Sequence, residues 1–179
     1  MRAFQVESWV LTIVERVLAG QRVEDSRVEL KAAWPEPPEK TARQIAGHAN
    51  AARGDSILWV IGIDEKSKSI NDAGQCELAN WFPSVQSFFN GLAPAVQDYN
   101  IPVNGKNLVA LLFESNRAPF VVRNKENDRL EVPWRDGTRT RSATRSELLK
   151  LLSKQISIPK FEILAHWESP WYPPHVGVE

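Results

Sequence analysis

A chain of 179 residues, 42% hydrophobic and 25% charged, has the length of one well-buried domain and the composition of an ordinary globular protein, which excludes disordered and collagen-like classes. Its 22 basic and 22 acidic side chains cancel, so any nucleic-acid surface has to come from segregated charge. One cysteine, Cys76, rules out an internal disulfide and a thiol zinc site, and with no bilayer-length apolar run and Glu7 interrupting the start, the expectation is a cytoplasmic protein without membrane contact.

The first predicted element is a helix: Val6, Val10, Ile13, Val14 and Val17 recur at three-to-four spacing, and Gly20 supplies a stop. Arg27 to Ala33 alternates as a strand, with Val28 and Leu30 on one face and Glu29 and Lys31 on the other, and the prolines of Trp34 to Pro38 end it. Thr41 to Arg53 has helical composition. Ser56 to Asp64 is apolar on both faces, as a central strand is, so strand, helix and strand form a crossover unit. Lys66 to Gly74 is turn-like. Trp81, Phe82, Val85, Phe88, Phe89 and Leu92 then repeat at helical spacing, with Pro83 suited to a first turn. Asn107 to Glu114 is a second buried strand. A hairpin is expected from Phe120 to Arg123 and Leu130 to Arg135, and a last helix begins at Thr144, where Glu147 completes a capping box and Leu148, Leu149, Leu151 and Leu152 form the buried side. The sum is an α+β domain over residues 1–155, with a mixed sheet centred on the two apolar strands and flanked by helices. A tail of residues 156–179 follows, rich in tryptophan and proline and without clear periodicity along its length.

Two polar constellations can carry chemistry. If the Glu29 strand lies beside Ser56 to Asp64, then Glu24, Glu29 and Asp64 converge near one sheet edge, and clustered carboxylates need a divalent cation or a lysine such as Lys31 among them. Gly62 leaves room there for a substrate backbone. The same residues equally serve as a solvated strand face and a turn. The second constellation is basic: Arg135, Arg139, Arg141 and Arg145, interleaved with Thr138, Thr140, Ser142 and Thr144, suit phosphate oxygens, and Arg123, Lys125 and Arg129 extend the field. Arginines paired to surface acids are the alternative. His48, His166 and His175 have no second histidine at ligand spacing. GxSxG and GxxxxGK[ST] motifs are absent, which excludes a P-loop nucleotide cofactor site.

EDSRVELKAA, the helix QIAGHANAARG, the strand ILWVIGIDEK and the closing WRDGTRTRSATRSEL resemble, in order and spacing, the Schlafen-type AlbA_2 domain over about Val23 to Leu152. His48 stands where that pattern is usually apolar or aromatic, and Arg53-Gly54 stands for its Gly-Gly. The resemblance implies nucleic-acid binding and, in the Schlafen branch, metal-dependent endonucleolytic cleavage of structured RNA such as tRNA. The catalytic and metal-holding carboxylates would then be Glu24, Glu29 and Asp64, with Mg²⁺ or Mn²⁺ as cofactor and Lys31 beside them. Arg123, Lys125, Arg135, Arg139, Arg141 and Arg145 would hold the RNA or DNA backbone. Other members of the wider family imply a binding module without chemistry, or a subunit of a larger effector. Because Schlafen cores resemble two lobes and this chain supplies one, a homodimer joined through Phe161, Ile163, Leu164, Trp167, Trp171 and Tyr172 is expected, the alternative being a monomer whose tail folds back over its own sheet and covers the helix carrying Trp81 and Phe88.

Overall fold

The computed structural model describes residues 1–23, 25–124 and 128–153. Helix α1 (Ala3–Leu18) buries Val6, Val10, Ile13, Val14 and Val17, the five positions its periodicity singles out. Each such side chain contributes about 1.5–3 kcal/mol on burial. Strand β1 (Val28–Lys31), helix α2 (Pro38–Ala52) and strand β2 (Ile57–Ile61) form the expected crossover: β1 runs parallel to β2, with Glu29 opposite Trp59 and Lys31 opposite Ile61. Pro38 opens α2 because its fixed φ and missing N–H suit a first turn, so the proline cluster that ends β1 also starts the helix.

At Gly62 the chain leaves the sheet. Its φ of +101° is left to glycine, and a Cβ there would sit 2.7 Å from the Asn71 carbonyl oxygen and 2.6 Å from Leu108 Cδ2. The predicted strand to Asp64 is therefore two pieces. The second, β3 (Ile63–Asp64), pairs with β4 (Ser69–Ile70), which lies in the segment expected to be a loop.

Helix α3 (Leu78–Gln86) begins earlier than expected, so Pro83 falls inside it, and the helix stops before Phe88 and Phe89. Phe89 instead bridges to Val122. Strand β5 (Val96–Val103), which the sequence reading did not anticipate, pairs antiparallel with β6 (Lys106–Phe113), and the main sheet runs β1-β2-β6-β5. The two most apolar strands, β2 and β6, thus occupy its centre, and the fold is α+β with a mixed sheet.

The expected 120–135 hairpin divides between two small ribbons. Strand β7 (Val122–Asn124) pairs with β8 (Arg129–Glu131), while β9 (Pro133–Asp136) pairs with β10 (Arg139–Ser142). Helix α4 (Arg145–Leu152) has the predicted capping box but no buried residue among those described. Leu149 and Leu152 are 52% and 71% exposed, against the buried side expected for them.

The sheet separates two cores. On one face α1 packs on Val28, Leu30, Leu58, Val60 and Leu108; on the other α2 and α3 pack on Ile57, Trp59, Ile61, Leu111 and Phe113. Glu29 and Lys31 project from β1 toward the second face, the one α2 covers. No helix among the described residues is long and apolar enough to cross a membrane.

Candidate nucleic-acid interface

The site is built where the alternation of β1 puts two charged side chains against a helix-covered face. Glu29 is 8% exposed, and its carboxylate is held from two sides. Lys31 Nζ donates to Oε1 at 2.6 Å, and the Arg135 guanidinium on β9 donates to Oε2. Burial works against the charge, but the Lys31 and Arg135 cations outweigh it and hold the Glu29 carboxyl below its ordinary pKa. Lys31 Nζ also lies 5.3 Å from the centre of the Trp59 ring, so the ammonium is fixed between a carboxylate and an aromatic face.

Beneath them runs a second polar line. Trp59 Nε1–H donates to His48 Nδ1 at 3.1 Å, and His48 Nε2 faces the Ser26 carbonyl oxygen at 3.0 Å. Indole nitrogen can only donate, so Nδ1 is the acceptor and Nε2 carries the proton. The ring is fully buried; burial first, then the nearby Arg135 charge, push its pKa down to about 4, and the ring is neutral at pH 7. His48 links α2, β2 and the segment entering β1.

Asp64 takes the turn position that was one of its two expected parts. Its Oδ1 accepts from the amides of Lys66 at 2.9 Å and Ser67 at 3.4 Å, capping the β3–β4 turn. The Ser67 side chain and these amides keep its pKa below the ordinary carboxylate range. Glu24 lies outside the described residues. Its neighbour Val23 donates its amide to Glu65 Oε1 at 3.0 Å, which ties the chain ahead of β1 to the residue after Asp64. Among the described residues no three His, Cys, Asp or Glu side chains gather to hold a metal ion. Both Glu29 oxygens face cations and Asp64 Oδ1 faces backbone amides.

The predicted phosphate ligands divide into paired and unpaired. Arg141 is shared between Asp136 at 3.1 Å and a two-pronged bond to Glu147 at 2.8 Å, and it draws the Glu147 carboxyl down to about 2. Arg123 pairs with Asp128 at 3.0 Å, and Arg135 is committed to Glu29 and the Gly137 carbonyl oxygen. Arg139 on β10 and Arg145 at the start of α4 are exposed and form no ion pair among the described residues. Lys125 is outside those residues.

A crevice of about 170 Å³ opens between the segment before β1 and the β9–β10 turn, lined by Arg22, Asp25, Ser26, Arg135, Gly137 and Thr138. Asp25 is already engaged there, accepting the amides of Arg27 at 2.7 Å and Val28 at 2.9 Å. The crevice wall thus combines Arg22 with the hydroxyl-bearing Ser26 and Thr138, while Arg135 and the Gly137 carbonyl oxygen in it are hydrogen-bonded to one another.

Three residues of this site escaped the sequence reading, one lining the crevice and two holding the elements around it. Arg22 lies just before the quoted acidic motif and could have been counted with it. Arg43 forks onto Glu131 at 2.8 and 2.9 Å and reaches the Thr140 carbonyl oxygen at 2.9 Å. Asn50 gives Nδ2 to the carbonyl oxygens of Phe120 and Pro133, both at 2.9 Å, and accepts the Phe120 amide at 2.8 Å. These two side chains lock α2 to the ribbons that carry the arginines; their partners lie 70 to 97 residues away, beyond any local pattern.

No family model matches the chain, and no curated protein matches it. Among solved structures it is similar to the DIP2311 protein from Corynebacterium diphtheriae, a structural-genomics target, with a TM-score of 0.51 and 21% identity over 80% of this chain and 28% of that one. That likeness is one of fold, and this chain spans just over a quarter of the length of the protein it matches.

Proposed function

We propose that the chain binds nucleic acid through the phosphate backbone, at the crevice between the segment before β1 and the β9–β10 ribbon. The observation that carries this reading is Arg22 in the wall of a polar crevice, with Arg139 and Arg145 exposed and in no ion pair among the described residues; Arg135 in the same wall is already held by Glu29 and the Gly137 carbonyl oxygen. A planar guanidinium meets phosphate oxygens with two parallel hydrogen bonds, whereas base edges need a reading element in a groove. The motif order resembling the Schlafen-type AlbA_2 domain points the same way. Titrating labelled tRNA, single-stranded RNA and duplex DNA against the protein tests it: micromolar or tighter binding that weakens about tenfold or more in Arg22→Gln/Arg139→Gln supports the reading, and no binding at low salt overturns it.

A second reading is a Mg²⁺- or Mn²⁺-dependent endoribonuclease acting on structured RNA such as tRNA. Its supporting observation is that Glu29 and Lys31 meet at 2.6 Å on one strand face while the Val23–Glu65 bond ties the chain beside Glu24 to the turn of Asp64. For Glu29 to serve a cation it has to give up an ion pair. Incubation with tRNA and either metal, with and without chelator, decides: chelator-sensitive cleavage abolished by Asp64→Asn supports the enzyme, and intact RNA leaves binding alone.

A further inference from the structure

A groove of about 870 Å³ lies between α3 and the edge strand β5 and shares no lining residue with the crevice. Trp34, Phe82 and Val96 supply apolar wall, Asp72, Glu77 and Asp98 acidic side chains, and no lysine, arginine or histidine among the described residues lines it. That charge disfavours phosphate, so the groove lies outside the proposed nucleic-acid interface. Trp34 contributes to that wall with its Nε1–H buried and facing no acceptor among the described residues.

We propose that the groove is the docking site of this chain's own segment Lys160–Trp167, which lies outside the described residues. Reach is the first argument. Ser153, the last described residue, lines a hollow with Ser115 and Asn116, and Ser115 follows Glu114, whose amide donates to the Ala95 carbonyl oxygen at 2.9 Å. Ala95 and Val96 form one end of the groove, so the chain leaves α4 one strand away from it. Seven residues, 154–160, separate Ser153 from Phe161 and span roughly 23 Å when extended, several times the strand spacing of about 4.8 Å. Pattern is the second argument. In an extended chain alternate side chains share a side, and the short run from Phe161 then sets Phe161, Ile163, Ala165 and Trp167 together, an apolar stripe for an apolar wall. Lys160 at its head suits the acidic side chains.

Cys76 lines the groove, is exposed in the described domain and is the one cysteine of the chain, so it reports on the occupant. The experiment is the rate of maleimide labelling of Cys76 in the full chain, compared with full-length Ile163→Ser/Trp167→Ser. Docking predicts labelling at least about tenfold faster in the variant, and a wild-type rate that does not change with protein concentration. Equal rates in the two proteins overturn the proposal, and protection that grows with concentration assigns the groove to a second copy instead. Circular dichroism checks the fold of the variant. Phe161→Ser replaces it if it fails to fold, and Glu162→Gln, on the opposite side of the run, labels like the wild type.

Discussion

At the residue scale, charge and burial set two measurable behaviours. His48 is neutral in the fold with its pKa pushed down to about 4, against about 6.5 in the unfolded chain. Below pH 6.5 the unfolded state binds a proton that the folded state refuses, so the stabilisation is full above that value and is lost as pH falls toward 4. The loss is on the order of 3 kcal/mol. Urea unfolding between pH 7 and 4.5 should show it, and His48→Gln, which keeps hydrogen-bonding groups but does not titrate, should flatten the slope; an unchanged slope would refute the assignment. Glu29 gives the second test. Its side chain is 11% exposed and that of Arg135 10%, so removing the carboxylate charge strands two cations in a partly buried place. Glu29→Gln should cost about 3 kcal/mol, and the Glu29→Leu/Arg135→Leu pair less than the sum of its single changes. Additive losses would mean that the ion pair contributes nothing. Alternation made the shared face of Glu29 and Lys31 legible in the sequence. Arg135 as their partner was not, because 106 residues separate it from Glu29 and only the packing of α2 on the β9–β10 ribbon closes that distance.

At the scale of elements, the ribbons stand where they do because α2 presents a flat and hydrogen-bonding last half. Gly47 has no Cβ, and one placed there would lie 2.7 Å from Thr140 Cγ2 and 3.4 Å from Pro133 Cβ. One turn on, the fully buried Asn50 satisfies three backbone groups of the segments that α2 covers. Asn50→Ala leaves a buried amide and two carbonyl groups without their partner, and a loss of about 3 kcal/mol or more is expected. The loss should come with faster amide exchange in β7 and β9 while α1 stays protected; a uniform change across the sheet would contradict the role of Asn50 as a local lock. The sequence showed α1, β1, α2, β2 and β6 because each carries its own period. Strand β5 was legible too, through its turn: Asn104 and Gly105 have φ of +50° and +74°, the two-residue connection that Asn-Gly signals between strands. What hid it was its edge position, where VQDYNIPV alternates polar residues and carries Pro102. The split at Gly62 was legible only in part, since the sequence marks a glycine but not the Asn71 carbonyl and Leu108 side chain that crowd it.

At the scale of the whole molecule the formal charge is zero, so no general field draws a polyanion to the surface and binding must rest on the few cations left without acidic partners. Counting arginines in the sequence overstates that number. Arg123, Arg135 and Arg141 are each committed to an acid, whereas Arg139 and Arg145 form no ion pair among the described residues. A phosphate contact releases counterions and makes log affinity fall linearly with log salt, by roughly 0.7 per contact for a single strand and about 0.9 for a duplex. Arg139→Gln/Arg145→Gln should therefore reduce the magnitude of the slope by about 1.4 to 1.8. Arg141→Gln is the contrasting case. It frees Glu147 and Asp136 as it removes a cation, so its slope should stay within about 0.3 of the wild type, while its affinity falls through repulsion from the released acids. Salt titrations of the three proteins with one tRNA measure all of this. If Arg141→Gln lowers the slope as much as the double change, then the Arg141–Glu147 pair opens on binding and the arginine itself contacts phosphate. If neither variant alters the slope, Arg139 and Arg145 do not hold the backbone, and Arg22 in the crevice wall is the contact left to test.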